Sequence, residues 1–188
     1  SHPYKMGNGA SIKTGARSAD CEVIVFMDAD GQHATEDVQR LLDKMQEGFD
    51  MVVGARHSDT HTSTLKLFGN SFYNRFASLM TGNKISDLTS GFRAVRTDIF
   101  RKYLYLMPNG FSYPTTSTMA FFRSGHAVTY IPIRAEKRTE NTTSNISILK
   151  DGVKFFIIIL KIGALFSPMR LFLPLSTAVC LTGLVHYG

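Results

Sequence analysis

The feature that most constrains the fold is a change of hydrophobic period that occurs twice between residues 22 and 55. Residues 22–27 and 50–55 are mainly apolar runs rich in β-branched side chains, which is typical of strands buried on both faces. Residues 35–47, between them, repeat apolar side chains at helical spacing behind an acidic first turn. Strand, helix and strand in this order predict an α/β domain with a mostly parallel sheet and helices on both of its faces.

Weaker signals extend the same pattern toward residue 145. Further helices are predicted at 9–19, 65–81, 97–104 and 113–124, and further strands at 91–96 and 127–133. No internal repeat or low-complexity linker interrupts residues 1–145, which we interpret as one domain. A hydrophobic fraction of 44% and a charged fraction of 19% exclude a disordered or collagen-like chain.

The C-terminal part of the chain changes character again. Residues 171–187 hold no formally charged side chain, which predicts the start of a transmembrane helix over 168–188, with a buried core helix as the alternative. Three lysines within 146–167 lie near one helical face, as in a helix at the membrane interface; the alternative is an amphipathic helix packed on the soluble domain. Because the basic residues precede the apolar run, the domain is expected on the cytoplasmic side of a membrane.

Charge limits the classes of partner. The chain has 21 lysines and arginines against 15 aspartates and glutamates, a net charge of +6, which favours nucleotides, phosphates or an acidic membrane surface. No recognised basic–aromatic module is present, so nucleic acid is not expected as a partner. Cys21 and Cys180 lie in apolar segments and are not expected to form a disulfide, which is typical of a reducing compartment.

The first apolar strand runs directly into the segment DADGQH, residues 28–33. In an open α/β sheet, ligands gather at the carboxyl ends of the strands. The carboxylates of Asp28 and Asp30, with the amide oxygen of Gln32, are the hard ligands that Mg²⁺ or Mn²⁺ prefers, and such an ion would bridge the phosphates of a nucleotide. An acidic turn between a strand and a helix is the plainer alternative.

Three strings in order carry a resemblance to a known family: VIVFMDADGQH, VVGARHS and SDLTSGFRAVR. Together they resemble the membrane-associated family 2 glycosyltransferases, and most of all the dolichol-phosphate mannose synthases and their bacterial polyprenyl-phosphate relatives. The resemblance implies a GT-A fold. It also implies inverting transfer of a sugar from a nucleotide diphosphate sugar to a polyprenyl phosphate, at the cytoplasmic face of a membrane.

The resemblance also implies roles for the first motif and for a glycine segment before it. Asp28, Asp30 and Gln32 are expected to bind the metal ion, with Asp30 also counted as catalytic. Gly7 and Gly9 are expected beside the donor nucleotide, together with Asp28, since residues without a side chain let the backbone approach a ligand.

Arginines in the later motifs are expected to hold phosphate groups, because the guanidinium fork suits that task. The resemblance implies that Arg56 and Arg93 are catalytic, and that Ser90, Arg93 and Arg138 bind the acceptor phosphate. Taken singly, each arginine is also consistent with a surface salt bridge. Asn145 stands where the family usually carries lysine, which removes one expected phosphate contact.

The implied mechanism needs no strong general base, because a phosphate monoester with a second pKa near 6 is already largely a dianion at neutral pH. Asp87 either assists this chemistry or caps a turn. The expected partners are therefore the nucleotide diphosphate sugar, the polyprenyl phosphate and the membrane, and a homo-oligomer is left open.

Two alternatives belong to other functional classes. A processive polysaccharide synthase would share the acidic strand end, but its Q-x-x-R-W signature needs tryptophan, and the chain has none. A non-catalytic, membrane-anchored nucleotide or phosphate binder is the other. In the family, strands that hold the nucleobase precede the segment matching Ser1, so residues 1–188 alone are expected to be inactive, and the choice between UDP and GDP stays open.

Overall fold

The computed structural model describes residues 3–28, 33–56, 64–110, 112–133 and 148–187. Each predicted helix and strand is present, with bounds that differ by a residue or two from the predicted ones. In chain order the elements are α1 Asn8–Ser18, β1 Val23–Phe26, α2 Thr35–Gln46, β2 Met51–Arg56, α3 Thr64–Thr81, β3 Arg93–Arg96, α4 Thr97–Lys102, a 3-10 turn Leu104–Leu106, α5 Tyr113–Arg123, β4 Val128–Ile133, α6 Ile148–Phe166 and α7 Pro168–Tyr187.

The described strands form one sheet in the order β1-β3-β2-β4. β1, β2 and β4 share one direction, as expected, but β3 runs antiparallel between β1 and β2, so two of the three described strand pairs are antiparallel and the sheet is mixed. Ala94 of β3 therefore faces Val25 on one side and Val52 on the other. The hydrophobic pattern predicts that 91–96 is a strand but contains no information on its direction, which is set by the edge of the sheet at which the chain enters it.

Both faces of the sheet are covered, as predicted. This is seen along β2, whose neighbouring residues point to opposite faces of the sheet. Met51 and Val53 are fully buried in a cluster with Phe100 of α4 and Phe121 of α5. Val52, between them, packs with α2 in a second buried cluster. The continuous apolar run of β2 is thus explained by two hydrophobic layers, one on each face.

Helix α6 packs on the domain with one face and leaves apolar side chains exposed on another. Ile159 and Ile162 are buried in a third cluster, with Ala77 and Met80 of α3 and Met119 of α5. Exposed large apolar side chains on the same helix are Val153, Phe156, Ile157 and Leu165. Helix α6 therefore packs on the domain, as the alternative of an ordinary amphipathic helix predicts. It also has an outer apolar surface that suits a membrane interface.

Helix α7 leaves the domain with almost every described side chain exposed. Residues Pro168–His186 are long and apolar enough to cross a membrane, and none of this stretch is buried against the domain. Its first turn is attached to α3: the Ser167 hydroxyl donates to the Met80 carbonyl (3.0 Å) and Arg170 Nη1 to the Leu79 carbonyl (3.1 Å).

Candidate functional site

Four of the predicted site residues lie at one edge of the sheet, the one formed by the ends of its strands: Asp28, Arg56, Ser90 and Arg93. β1 and β2 end at this edge, and β3 begins there. The pairing shows this, since Phe26 of β1 and Val53 of β2 both pair with Arg93, the first residue of β3. The connection from α3 to β3, residues 82–92, therefore runs along the carboxyl ends of β1 and β2. This is the edge at which α/β sheets bind ligands.

Arg56, the last residue of β2, is held by Asp87 of this connection through a two-pronged ion pair. Nε and Nη2 of Arg56 donate to the two carboxylate oxygens of Asp87 at 2.9 and 3.1 Å. Nη2 also donates to the Thr89 hydroxyl at 2.8 Å. The side chain of Arg56 is 42% exposed and that of Asp87 only 11%. Asp87 and Thr89 therefore hold the Arg56 guanidinium in one orientation, and part of the Arg56 side chain stays exposed to solvent at the end of β2.

Asp87 also organises its own turn, since its Oδ1 accepts the backbone N–H groups of Thr89 and Ser90, both at 3.1 Å. Burial by itself would raise the pKa of Asp87, but the hydrogen bonds and charge of Arg56, with the Thr89 N–H, hold that pKa below its ordinary value. Burial would in turn lower the pKa of Arg56, but Asp87, and to a smaller extent the charge of Asp28, raise it. Asp87 therefore caps a turn and orients Arg56 at once.

Arg93 lies inside the fold, in contrast to Arg56. Its side chain is fully buried, and its Nη1 donates to the Pro114 carbonyl (3.1 Å) and to the hydroxyls of Ser117 (2.8 Å) and Thr118 (2.9 Å). Its Nη2 donates to the Ser90 carbonyl. Burial lowers the pKa of Arg93 from its ordinary value. In this arrangement the guanidinium ties α5 to the connection, and contact with an acceptor phosphate stays a prediction.

Ser90 is likewise buried, and its hydroxyl donates to the Gly54 carbonyl of β2 at 2.6 Å. The Ser90 hydroxyl proton is therefore already engaged in a hydrogen bond within the protein. Its predicted contact with the acceptor phosphate is not tested by this geometry, while Arg138 lies outside the described residues.

Asp28, Gly91 and Tyr113 meet at the same edge. Asp28 is exposed two residues after the end of β1, and a Cβ added to Gly91 would lie 3.4 Å from both Asp28 Oδ2 and the Tyr113 hydroxyl. Gly91 therefore lies within van der Waals reach of the Asp28 carboxylate. The Tyr113 hydroxyl donates to the Gly91 carbonyl at 2.7 Å, and burial raises its pKa to about 12, so it stays protonated at neutral pH.

The metal ligands implied by the sequence are described only in part. Asp28 is placed at the strand end, whereas Asp30 and Gln32 lie outside the described residues. The described part of the chain holds no group of three or more His, Cys, Asp or Glu side chains that could bind a metal ion. His33 stacks on Phe92 with ring centroids 4.4 Å apart, and this contact anchors the far end of the motif to the sheet.

The two glycines at the start of α1 are explained by packing against the segment 108–110. Gly7 has a φ of +98°, and a Cβ on it would come within 2.6 Å of the Asn109 carbonyl oxygen. A Cβ on Gly9 would collide with the Pro108 carbonyl oxygen. The N–H groups of Gly9 and Ala10 already donate to the carbonyls of Gly110 and Asn109. Proximity to a donor nucleotide therefore stays a prediction for both glycines.

Residues 1–104, more than half of the 188-residue chain, match the model of the family described as Glycosyl transferase family 2. The chain belongs to this family. Similar proteins include glycosyltransferase AglJ of Haloferax volcanii, 25% identical over 95% of this chain and 60% of the relative. Polyprenol monophosphomannose synthase of Mycolicibacterium smegmatis is 30% identical over 71% of this chain and 54% of its own length. The chain thus spans little more than half the length of these relatives.

A solved structure gives the fold independently of sequence similarity. Glucosyl-3-phosphoglycerate synthase from Mycobacterium tuberculosis, in complex with Mn²⁺, UDP-glucose and phosphoglyceric acid, superposes with a TM-score of 0.64 over 87% of this family 2 chain and 57% of that chain. The identity is 13%, so this likeness concerns the fold alone. The predicted GT-A fold is confirmed.

Sequence reasoning missed Tyr113 and Thr89 as members of the site. Thr89 stands inside the motif string TSGFR, so the motif itself was a signal for it. Tyr113 carries no such signal, because it is separated from Asp28 along the chain and comes to the edge only through the packing of α5 on the sheet.

Proposed function

We propose that the full-length protein transfers a sugar from a nucleotide diphosphate sugar to a polyprenyl phosphate at a membrane, with inversion at the anomeric carbon. The observation that carries the proposal is the exposed Arg56, held by Asp87 at the sheet edge that also bears Asp28. A cation for phosphate and a carboxylate for a metal ion thus follow two strands of the same sheet, near enough for the charge of Asp28 to raise the pKa of Arg56. Membership in family 2 supports the same reaction, as do relatives named polyprenol monophosphomannose synthase and undecaprenyl-phosphate mannosyltransferase, the latter from Micrococcus luteus.

The residues at the edge fit a hard divalent cation. Asp28 offers an exposed carboxylate at a strand end, and Asp30 and Gln32 follow it with oxygen ligands of the same kind. These three residues would hold Mg²⁺ or Mn²⁺, which supplies charge stabilisation for the departing nucleotide diphosphate. In that arrangement Gly7 and Gly9 would lie on the donor side of the site.

The acceptor phosphate is proposed to bind at Arg56, whose guanidinium is oriented before substrate arrives. Ser90 and Arg93 would stabilise this position from inside the protein, since Ser90 bonds β2 and Arg93 bonds α5. Arg138 is proposed as a further phosphate contact. An oxygen of the lipid phosphate attacks the anomeric carbon, and the bond from that carbon to the nucleotide diphosphate breaks on the opposite face. Because the nucleophile is already anionic, no side chain has to accept a proton.

Membrane attachment is proposed through α7 and through the outer surface that α3 and α6 share. Phe72 and Leu79 of α3, with Phe156 and Leu165 of α6, are large apolar side chains that remain exposed on the domain. An exposed apolar surface continuous with a helix able to span a membrane suits a bilayer better than water. The basic residues before α7 favour the cytoplasmic side.

The experiment uses membranes that carry the full-length protein, Mn²⁺, polyprenyl phosphate and a panel of labelled UDP- and GDP-sugars. We expect label from one donor to enter the organic phase, and Asp30→Ala to abolish this transfer. Metal-dependent nucleotide binding by correctly inserted protein, with no label from any donor, would instead identify a binding protein without transferase activity.

A further inference from the structure

Helix α3 holds the part of the connection that flanks Asp87 through one side chain, that of Asn74. Asn74 Nδ2 donates to the Ser86 carbonyl at 2.9 Å, and the Leu88 N–H donates to Asn74 Oδ1 at 2.9 Å. The two polar atoms of one amide thus bind the residues immediately before and after Asp87. The carboxylate of Asp87, between these two fixed points, faces Arg56.

A second contact lies one helical turn further along α3. The Ile85 N–H donates to the Ser78 hydroxyl at 3.0 Å, so two successive turns of the helix bind the connection. Residues 82–92 contain no helix or strand of their own, and their backbone groups need partners from elsewhere in the protein. Asparagine is also a poor residue for the interior of a helix, which means that its presence at position 74 is better explained by these contacts than by helix formation.

We propose that Asn74 is a positioning residue for the candidate site: it sets the place of Asp87, and through Asp87 the orientation of Arg56. The path from Asn74 to Arg56 is short. Hydrogen bonds join the Asn74 amide to the backbone on either side of Asp87, and further hydrogen bonds join the Asp87 carboxylate to Nε and Nη2 of Arg56. The structural part of this inference stands on these contacts. Its catalytic part rests on the proposed function.

Loss of the amide should loosen Asp87 and thereby leave Arg56 less well paired. A paired guanidinium with a raised pKa reacts slowly with phenylglyoxal, a reagent for neutral arginine side chains, and a looser one reacts faster. We expect the modification rate of Arg56 in Asn74→Ala to rise about fivefold, the factor by which a typical net hydrogen bond shifts an equilibrium. Peptide mass spectrometry of the full-length protein measures this rate without any enzyme activity.

The matched control is Asn83→Ala, which makes the same chemical change at a position within the connection itself. Asn83 Nδ2 bonds the Thr81 carbonyl, at the start of the connection and outside the segment that Asn74 holds. Arg56 in this variant should react at the wild-type rate. Asn74→Asp keeps the acceptor for the Leu88 N–H and removes the donor to Ser86, so its rate should lie between those of wild type and Asn74→Ala; it also serves if the alanine variant does not fold.

Activity then separates positioning from a merely structural role. If Arg56 binds the acceptor phosphate equally in the ground state and the transition state, Asn74→Ala should raise KM for polyprenyl phosphate about fivefold with kcat and the donor KM nearly unchanged. A structural defect would lower kcat at constant KM, because less protein is folded, and would overturn the catalytic part. If wild type shows no transfer at all, the proposed function fails while the modification rates still decide the role of Asn74. Wild-type reactivity of Arg56 in both Asn74 variants would overturn the inference.

Discussion

Two arginines that belong to similar motifs occupy opposite environments at the residue scale. Arg56 is 42% exposed and oriented by a single carboxylate, whereas Arg93 is fully buried among carbonyl and hydroxyl oxygens of α5 and the connection. A buried guanidinium is tolerated only when most of its N–H groups have acceptors, and those acceptors would themselves be left without donors if it were removed. The two residues should therefore respond differently to the same substitution.

We expect Arg93→Lys to destabilise the fold by about 3 kcal/mol, because an ammonium cannot reach the same set of acceptors and leaves buried carbonyl and hydroxyl oxygens without a donor. Arg56→Lys should change the free energy of unfolding by less than about 1 kcal/mol, since its ion pair is partly exposed, but should raise KM for polyprenyl phosphate. Denaturant unfolding in detergent and steady-state kinetics measure both. Unchanged stability of Arg93→Lys with a raised acceptor KM would support direct phosphate binding by Arg93.

The ion pair of Asp87 predicts a pH dependence of stability. Its pKa in the folded state lies below the ordinary value of 3.8, so the folded protein binds this proton less readily than the unfolded chain does. The resulting stabilisation is present above that ordinary value and is lost as the pH falls through the lowered pKa. We expect the difference in free energy of unfolding between wild type and Asp87→Asn to be constant near neutral pH and to shrink below pH 3.8. A difference that does not change with pH would contradict the assignment.

At the scale of the elements, α1 is placed by close contact with the segment 108–110 rather than by a large apolar face. Its buried residues are Gly9, Ala10 and Ala16, which are all small. Two backbone N–H groups at its start are bonded to carbonyls of that segment. The backbone of α1 therefore lies directly against the backbone of residues 108–110, and at position 9 only a residue without a Cβ allows this contact.

A pair of substitutions in α1 tests this explanation. Gly9→Ala should destabilise the domain, because its Cβ would collide with the Pro108 carbonyl oxygen. Gly15→Ala, in the same helix, meets nothing within 4 Å and should stabilise it by about 0.5–1 kcal/mol through helix propensity. Thermal unfolding of both variants gives the two signs. Equal effects would show that the contact with 108–110 is not what requires glycine.

At the scale of the whole molecule, α7 is joined to the domain at a fixed point. Ser167 and Arg170 bind carbonyls at the C-terminal end of α3, and Arg123 of α5 donates to the Phe166 carbonyl at the end of α6 at 2.7 Å. Helix C-termini present carbonyls without partners inside the helix, and basic side chains satisfy them favourably. The site and the candidate span are therefore parts of one framework, which would hold the sheet edge at a set distance from a bilayer.

The two native cysteines test the membrane arrangement. Cys21 is exposed on the domain, and Cys180 is exposed within α7. If α7 spans a bilayer, a membrane-impermeant maleimide should label Cys21 in inside-out vesicles and leave Cys180 unlabelled until detergent is added. In right-side-out vesicles neither should react. Labelling of Cys180 in intact vesicles of both orientations would show that α7 is not inserted, and peptide mass spectrometry identifies the site.

Local properties of the residues were enough to predict the elements, their order and the end of the sheet at which the site lies. Periods of apolar residues predict each strand and helix, and the position of Asp28 directly after an apolar run places it at a strand end. The motif strings were enough to identify the family, which the match over residues 1–104 confirms.

Folding, by contrast, sets the direction of β3, the burial of Arg93 and the pairing of Arg56 with Asp87. Each of these depends on contacts between residues far apart in the chain, and a local pattern does not distinguish a buried arginine from an exposed one. Arg56 ends one strand and Arg93 begins another, but α5 covers Arg93 and leaves Arg56 partly exposed. The packing of helices on the sheet, and not the residue types alone, thus separates the supporting residues from those that can meet a substrate.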